Sequence, residues 1–108
     1  MEARITIINL IEQSFSDLGN NVIDFGPTIQ RLEQARELSA ELFNIHPNQL
    51  ERQLGHRDLD SIQEAEFQKT WCLNDLENVL LNINNEIIHQ HLNHAIHRLD
   101  LVNNFNGF

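Results

Sequence analysis

The chain has 108 residues, 41% of them hydrophobic, and a formal net charge of −9 from 7 lysines and arginines against 16 acidic residues. This length fits one domain, and the negative charge disfavours direct contact with nucleic acid or an anionic membrane surface, which carry the same sign. A single cysteine excludes an intrachain disulfide.

The start of the chain and its apolar runs indicate a soluble, cytoplasmic protein. Met1-Glu2-Ala3-Arg4 does not resemble a secretory signal, because no basic start leads to a small-residue cleavage site. No apolar run is long enough to cross a bilayer. The charge predicts solubility, or alternatively an acidic face for a basic protein partner. A chain this small buries only a small core, and such chains commonly gain stability by dimerising.

The first half of the chain predicts two helices. Residues 3–18 carry apolar side chains at helical spacing, and the glycine and two asparagines at 19–21 are typical of a helix end. Pro27 suits the first turn of a second helix that runs to about Asn44. The residues predicted to face inward are Ile7, Ile8, Ile11, Phe15, Leu18, Ile29, Leu32, Ala35, Ser39, Leu42 and Phe43.

A proline and a polar turn separate these helices from the rest. Pro47 marks a helix boundary, because the residue before a proline is pushed out of helical geometry. Residues 47–54 predict a short helix that Gly55 ends. The polar cluster around the following turn is interpreted as a solvated loop. It consists of Arg52, His56, Arg57, Asp58 and Asp60.

Asp60 to Leu101 is the longest periodic segment. It opens with Ser61-x-x-Glu64, a capping box in which the serine hydroxyl accepts from an amide of the first turn. Its two apolar stripes do not share one helix face. Either the helix breaks near Asn82–Asn85, or one long helix packs on two sides. The stripes are Ile62, Ala65, Cys72, Leu76, Val79, Leu80, Ile83 and Ile87, then Ile88, Leu92, Ala95, Ile96, Leu99 and Val102.

These elements predict an all-α fold. The short loops between periodic segments favour a small antiparallel bundle of four to five helices, in which the last two are alternatively one long helix. The whole chain, 1–108, is predicted to form a single helical domain with a short tail after about residue 102.

Phe67 and Trp71 lie one turn apart, across the helix axis from the first apolar stripe. They either cover the edge of their own core or form an interface, where tryptophan is enriched among the strongest contacts. The back half also offers more apolar faces than two preceding helices can easily cover. We therefore expect a homodimer with isologous pairing. The predicted interface residues are Phe67, Trp71, Ile88, Leu92 and Leu99.

Four histidines near the C-terminus raise the alternative of a transition-metal site, because imidazole is a good ligand for such ions. Adjacent members at i,i+3 spacing could share one ion. However, His94 and His97 lie almost opposite the local apolar stripe, and an exposed pair supplies only part of a coordination shell. Solvated histidines are therefore the favoured interpretation, with no cofactor. The candidate ligands are His89, His91, His94 and His97.

No set of catalytic residues is visible. Cys72 falls on the apolar stripe and is interpreted as a small core residue rather than a nucleophile. The chain has no glycine-rich phosphate loop, no paired-cysteine zinc pattern and no nucleophile elbow. We therefore expect a non-enzymatic, acidic interaction or regulatory module that acts as a homodimer. The alternative is a helical metal-binding protein that uses the His89–His97 group.

Overall fold

Four α-helices account for most of the chain that the computed structural model describes, namely residues 2–20, 22–46 and 58–105. They are α1 (Glu2–Gly19), α2 (Gly26–Leu42), α3 (Ile62–Leu81) and α4 (Ile88–Asn103). These ranges contain no strand, which confirms the all-α prediction. None of the described helices has both the length and the apolar character needed to cross a bilayer.

The first two helices agree closely with the sequence pattern. α1 extends one residue beyond the predicted 3–18 at each end. α2 begins at Gly26, which places Pro27 in its first turn, where a missing amide costs no hydrogen bond. The chain leaves α2 through Asn44, which has a φ of 54°, a conformation that asparagine tolerates at helix ends. The short helix predicted for 47–54 lies outside the described residues.

The long periodic segment is two helices, so of the two alternatives the break near Asn82–Asn85 is confirmed. The hydroxyl of Ser61 accepts from the backbone N–H of Glu64 at 3.2 Å and starts α3 as the capping box predicts. At the other end, the Asn82 amide donates to the carbonyl of Asn78 at 2.9 Å. The Asn85 side chain then accepts from the N–H of Ile87 at 3.0 Å. The Asn82 side chain thus adds a second bond to a carbonyl that its own backbone N–H also contacts, and the Asn85 side chain takes the place of a helical carbonyl at the break.

Each helix packs against two others. α4 packs most extensively on α3 and also on α2, while α1 packs on α2 and less extensively on α3. The radius of gyration is 13.4 Å, as expected for a compact globule of this length. The fully buried apolar side chains come from all four helices. The largest are Ile7, Ile11, Leu32, Leu76, Val79, Ile88, Leu92 and Leu99.

Two isoleucines depart from the predicted apolar stripe. Ile62 is 55% exposed and Ile87 is 38% exposed. Ile62 is the first residue of α3 and Ile87 precedes α4, so neither lies where neighbouring helices cover both sides of the chain. The helical period assigned both residues to the core, because the period alone does not show where a helix begins.

Two buried serines on neighbouring helices differ in their hydrogen bonding. Ser14 on α1 and Ser39 on α2 are both fully buried. The Ser14 hydroxyl donates to the carbonyl of Leu10 at 2.9 Å. The Ser39 hydroxyl has no hydrogen-bond partner within the described chain. A polar group that is buried without a partner loses its hydrogen bonds to water and gains no replacement for them.

We expect Ser39→Ala to raise the free energy of unfolding by about 1 kcal/mol, because alanine removes an unsatisfied hydroxyl at little cost in volume. Ser14→Ala is the matched control and should lower it by about 1 kcal/mol, since its hydroxyl is bonded. Urea denaturation followed by circular dichroism measures both. Equal destabilisation by the two substitutions would contradict the assignment of Ser39 as the unbonded hydroxyl.

Candidate functional site

The predicted interface residues separate into two groups. Phe67 and Trp71 lie on the outer side of α3 and are 50% and 54% exposed. Ile88, Leu92 and Leu99 are all 0% exposed. The latter three belong to the core of the single chain, so their assignment to an interface is corrected.

The reason for this correction is the position of α4. This helix packs against α3 on one side and α2 on another, and together they cover its apolar stripe. The stripe that predicted a missing partner is therefore satisfied within one chain. Among the predicted interface residues, only the aromatic pair of α3 remains available to another molecule.

Trp71 is held in place from its inner side. The guanidinium of Arg98 on α4 lies over the indole ring, with Cζ 5.0 Å from the ring centroid. That distance is within the range of about 6 Å in which a cation is attracted to an aromatic face. The indole is thus half-exposed to solvent on one side and in contact with a cation on the other.

Arg98 is itself fixed by two nearly buried side chains of α3. Its Nε donates to Oδ2 of Asp75 at 2.8 Å, and one terminal nitrogen donates to Oε1 of Gln68 at 3.1 Å. Asp75 is 7% exposed and Gln68 is 6% exposed. A charge-assisted bond to a nearly buried carboxylate restricts the guanidinium far more than water would. Trp71 therefore rests on a rigid support.

Sequence reasoning missed this support. Gln68 and Asp75 lie seven residues apart on the buried side of α3, a spacing that is visible in the sequence. Their partner Arg98 lies 30 residues after Gln68 and 23 residues after Asp75, so no local pattern connects the three. One signal in the sequence could have indicated the support. Gln68 and Asp75 are polar residues at positions where the helical period predicts burial, and buried polar residues need a partner.

A cleft of about 340 Å³ opens beside Trp71, between α3 and α4. Its lining includes the ion pair of Asp75 and Arg98 together with polar, uncharged side chains. The volume is at the lower end of the range for small-molecule sites, about 300–1,000 Å³. The cleft is lined by Thr70, Trp71, Asn74, Asp75 and Arg98.

The histidines are not assembled into a metal centre. Across 2–20, 22–46 and 58–105, no group of three or more histidine, cysteine or acidic side chains is placed to hold a metal ion. Nδ1 of His91 is buried 3.8 Å from Asp75, and Nδ1 of His89 lies 2.7 Å from the carbonyl oxygen of Glu86. The metal-binding alternative stays a prediction from the sequence.

His94 and His97 differ from the expected solvent-facing positions. Both are half-buried on α4, and each makes a contact within the molecule. The wheel of a single helix counts only its own apolar stripe, whereas neighbouring helices also cover the flanks of that stripe. The histidines accordingly belong to the packed surface of the globule.

Cys72 is a core residue, as predicted. It is fully buried, and its thiol donates to the carbonyl of Ala95 at 3.6 Å. Burial raises the pKa of the thiol from 9.0 to about 12, the nearby Asp75 carboxylate adds to the rise, and Arg98 opposes it. A nucleophilic cysteine requires the opposite shift. The thiol is thus held protonated.

The polar turn gives little further information. Arg52, His56 and Arg57 lie outside the described residues, while Asp58 and Asp60 are exposed, in agreement with a solvated loop.

A second hollow, of about 700 Å³, lies where the ends of α1 and α4 meet the loop before α2. Several of its polar groups already have partners. Asn103 accepts from the N–H of Phe25 at 2.7 Å, and Lys69 pairs with Glu66 at 2.8 Å. These groups therefore do not require a ligand.

The chain matches no protein-family model, no curated protein and no solved structure. Function has to be inferred from the geometry of the described residues. The α3–α4 cleft joins an exposed indole, a guanidinium paired with a carboxylate, and neutral hydrogen-bonding groups, and the exposed Phe67 lies beside it on α3. Such an arrangement is suited to recognition, since aromatic and arginine side chains dominate the binding energy of protein interfaces.

We expect Arg98→Ala to shift the emission of Trp71, the only tryptophan in the chain, because the indole loses its inner support. The free energy of unfolding should fall by about 2 kcal/mol, since Asp75 loses its cation. Arg31→Ala breaks another ion pair, with Asp17, and should leave the emission unchanged. Identical spectra for Arg98→Ala and wild type would contradict this support.

Cys72 should react with iodoacetamide at pH 8 only when the chain unfolds. A pKa of about 12 in place of 9.0 leaves about a thousand-fold less thiolate at that pH. Mass spectrometry of samples labelled with and without urea measures the difference. Rapid labelling of the native chain would show that the thiol is accessible.

Proposed function

We propose that this protein is a non-enzymatic, acidic protein-interaction or regulatory module that acts as a homodimer through the outer side of α3. The observation that carries the proposal is the exposed pair Phe67 and Trp71, one turn apart, with Trp71 supported by Arg98. Single exposed apolar residues are common on protein surfaces. An aromatic pair on a rigid support is instead typical of a binding hot spot, because little freedom is lost when a partner covers it.

The spacing along α3 supports a helix as the partner element. Exposed or half-buried residues recur at intervals of four and three and form one strip along the helix. Such a period of about 3.5 residues is the one by which two helices pack along a narrow seam. The outer strip consists of Phe67, Trp71, Asn74, Asn78 and Leu81.

The charge of the outer strip supports a second copy as the partner. None of its five residues is charged, although the chain as a whole carries −9. Two copies with the same strong charge repel, so they associate most readily through a face without charge. The outer strip offers such a face.

We further propose that the helices form an antiparallel bundle within a single domain. The connections at 20–25 and 82–87 are short, and short connections favour antiparallel neighbours. A fifth helix at 47–54 and a cytoplasmic location are parts of the same proposal that depend on the sequence alone.

The acidic surface outside the strip also fits a basic protein partner. Such a complex would gain from charge attraction and weaken as salt increases. The homodimer should respond in the opposite way, because salt screens the repulsion between two copies. The salt dependence thus separates the two kinds of association.

Sedimentation equilibrium of the wild-type protein tests the homodimer. We expect a dimer whose Kd does not increase between low and moderate salt. Trp71→Ala should weaken it by about 30-fold, as expected for a hot spot of about 2 kcal/mol, and Phe67→Ala should also weaken it. These side chains are half-exposed, so the fold should survive both changes.

Ile5→Ala is the matched control, because Ile5 is exposed to a similar extent but lies on α1. It should leave the Kd unchanged. A wild-type protein that remains monomeric at the highest concentrations, or a dimer insensitive to both aromatic substitutions, would refute the homodimer through α3.

A further inference from the structure

The cleft between α3 and α4 lies close to an exposed aromatic side chain that does not line it. Phe67 is 50% exposed on the same helix, and the lining begins at Thr70. We infer that two copies pair antiparallel along α3, so that Phe67 of each copy enters the cleft beside Trp71 of the other. This inference rests on the proposed homodimer and adds the contact that specifies it.

The two features have complementary shapes, a projecting ring and a recess. The cleft has a volume of about 340 Å³ and is open to solvent, so an aromatic ring of a partner can enter it from outside. A projecting ring and a matching cleft on one surface make that surface self-complementary. A two-fold interface requires this property, because the same patch serves both copies.

The position of the cleft along α3 fits an antiparallel pair centred on Trp71. In such a pair, a residue four positions before the centre faces a residue four positions after it. Phe67 and Asp75 satisfy this relation, and both lie about 6 Å from Trp71 along the axis, at 1.5 Å per residue. The ring of Phe67 is therefore level, along the axis, with the part of the partner's cleft that Asn74 and Asp75 line.

The chemistry of the cleft suits an aromatic ring. The exposed side of the Trp71 indole is available for stacking, since Arg98 contacts the ring at 5.0 Å without covering it fully. The charge of Asp75 is balanced by its bond to Arg98, so an entering ring meets no unpaired carboxylate. Thr70 and Asn74 form a neutral rim.

A parallel pair would make a different contact. It would place Phe67 of one copy against Phe67 of the other and would leave both clefts empty. Residues at the cleft and the projecting ring would then contribute independently to the Kd. The two arrangements can be separated by mixing variants.

The experiment uses two full-length variants, Phe67→Ala, which removes the ring, and Asn74→Trp, which fills the cleft. Fluorescence-detected sedimentation with one labelled variant gives the Kd of each homodimer and of the mixed dimer. Both homodimers should be at least about ten-fold weaker than wild type, because each loses both contacts. The mixed dimer retains one contact, with the ring of the Asn74→Trp copy in the open cleft of the Phe67→Ala copy.

We therefore expect the mixed dimer to be tighter than either variant homodimer. A Kd at the geometric mean of the two homodimers would refute the pairing, since independent effects average in this way. An Asn74→Trp homodimer as tight as wild type would refute it as well, because added apolar surface would then matter more than the cleft. Gln34→Trp on α2 adds the same side chain far from α3 and should match wild type.

These results separate the two proposals. A wild-type chain that is monomeric refutes the homodimer and, with it, the pairing. A wild-type dimer whose variants show only averaged effects refutes the pairing and leaves the homodimer intact. Circular dichroism of both variants confirms that the helices are retained, which is expected because both positions lie on the exposed side of α3.

Discussion

The contact between Arg98 and α3 holds the candidate site together. One guanidinium binds the carboxylate of Asp75, the amide of Gln68 and the face of the Trp71 indole. The first two groups are nearly buried, so the bonds form where competition from water is low. They join the two most extensively packed helices at a fixed rotation. The same contact therefore orients α4 and supports the exposed tryptophan.

This orientation decides which apolar surface remains for a partner. With α4 placed between α3 and α2, Ile88, Leu92 and Leu99 lie in the core, although the sequence suggested a face in need of cover. What remains exposed is the outer strip of α3. Its aromatic residues are held by a polar network rather than by an apolar core, and such a network specifies one geometry as well as adding stability.

The proposed recognition function agrees with the chemistry of the described residues. Cys72 is buried and held protonated, and the histidines are spread over the packed surface of α4 without a shared ligand set in the described ranges. The groups that do converge around one cleft are an indole, a guanidinium, a carboxylate, an amide and a hydroxyl. These groups bind through stacking and hydrogen bonds, in keeping with the interaction module proposed above.

The sequence by itself determined where most helices begin and end, because those signals are local, and it left open whether the segment from Asp60 to Leu101 is one helix or two. The Ser61 cap, the asparagines at 82–85 and the proline at 27 act within a few residues of the backbone groups that they satisfy or replace. A helix wheel likewise places Phe67 and Trp71 off the apolar stripe, although it leaves open whether they cover their own core or face a partner. Only the tertiary structure decided that the α4 stripe is covered from within and that Arg98 meets Trp71. Both depend on how neighbouring helices are rotated against one another, which brings together residues more than twenty positions apart. The period of a single helix contains no information about this rotation.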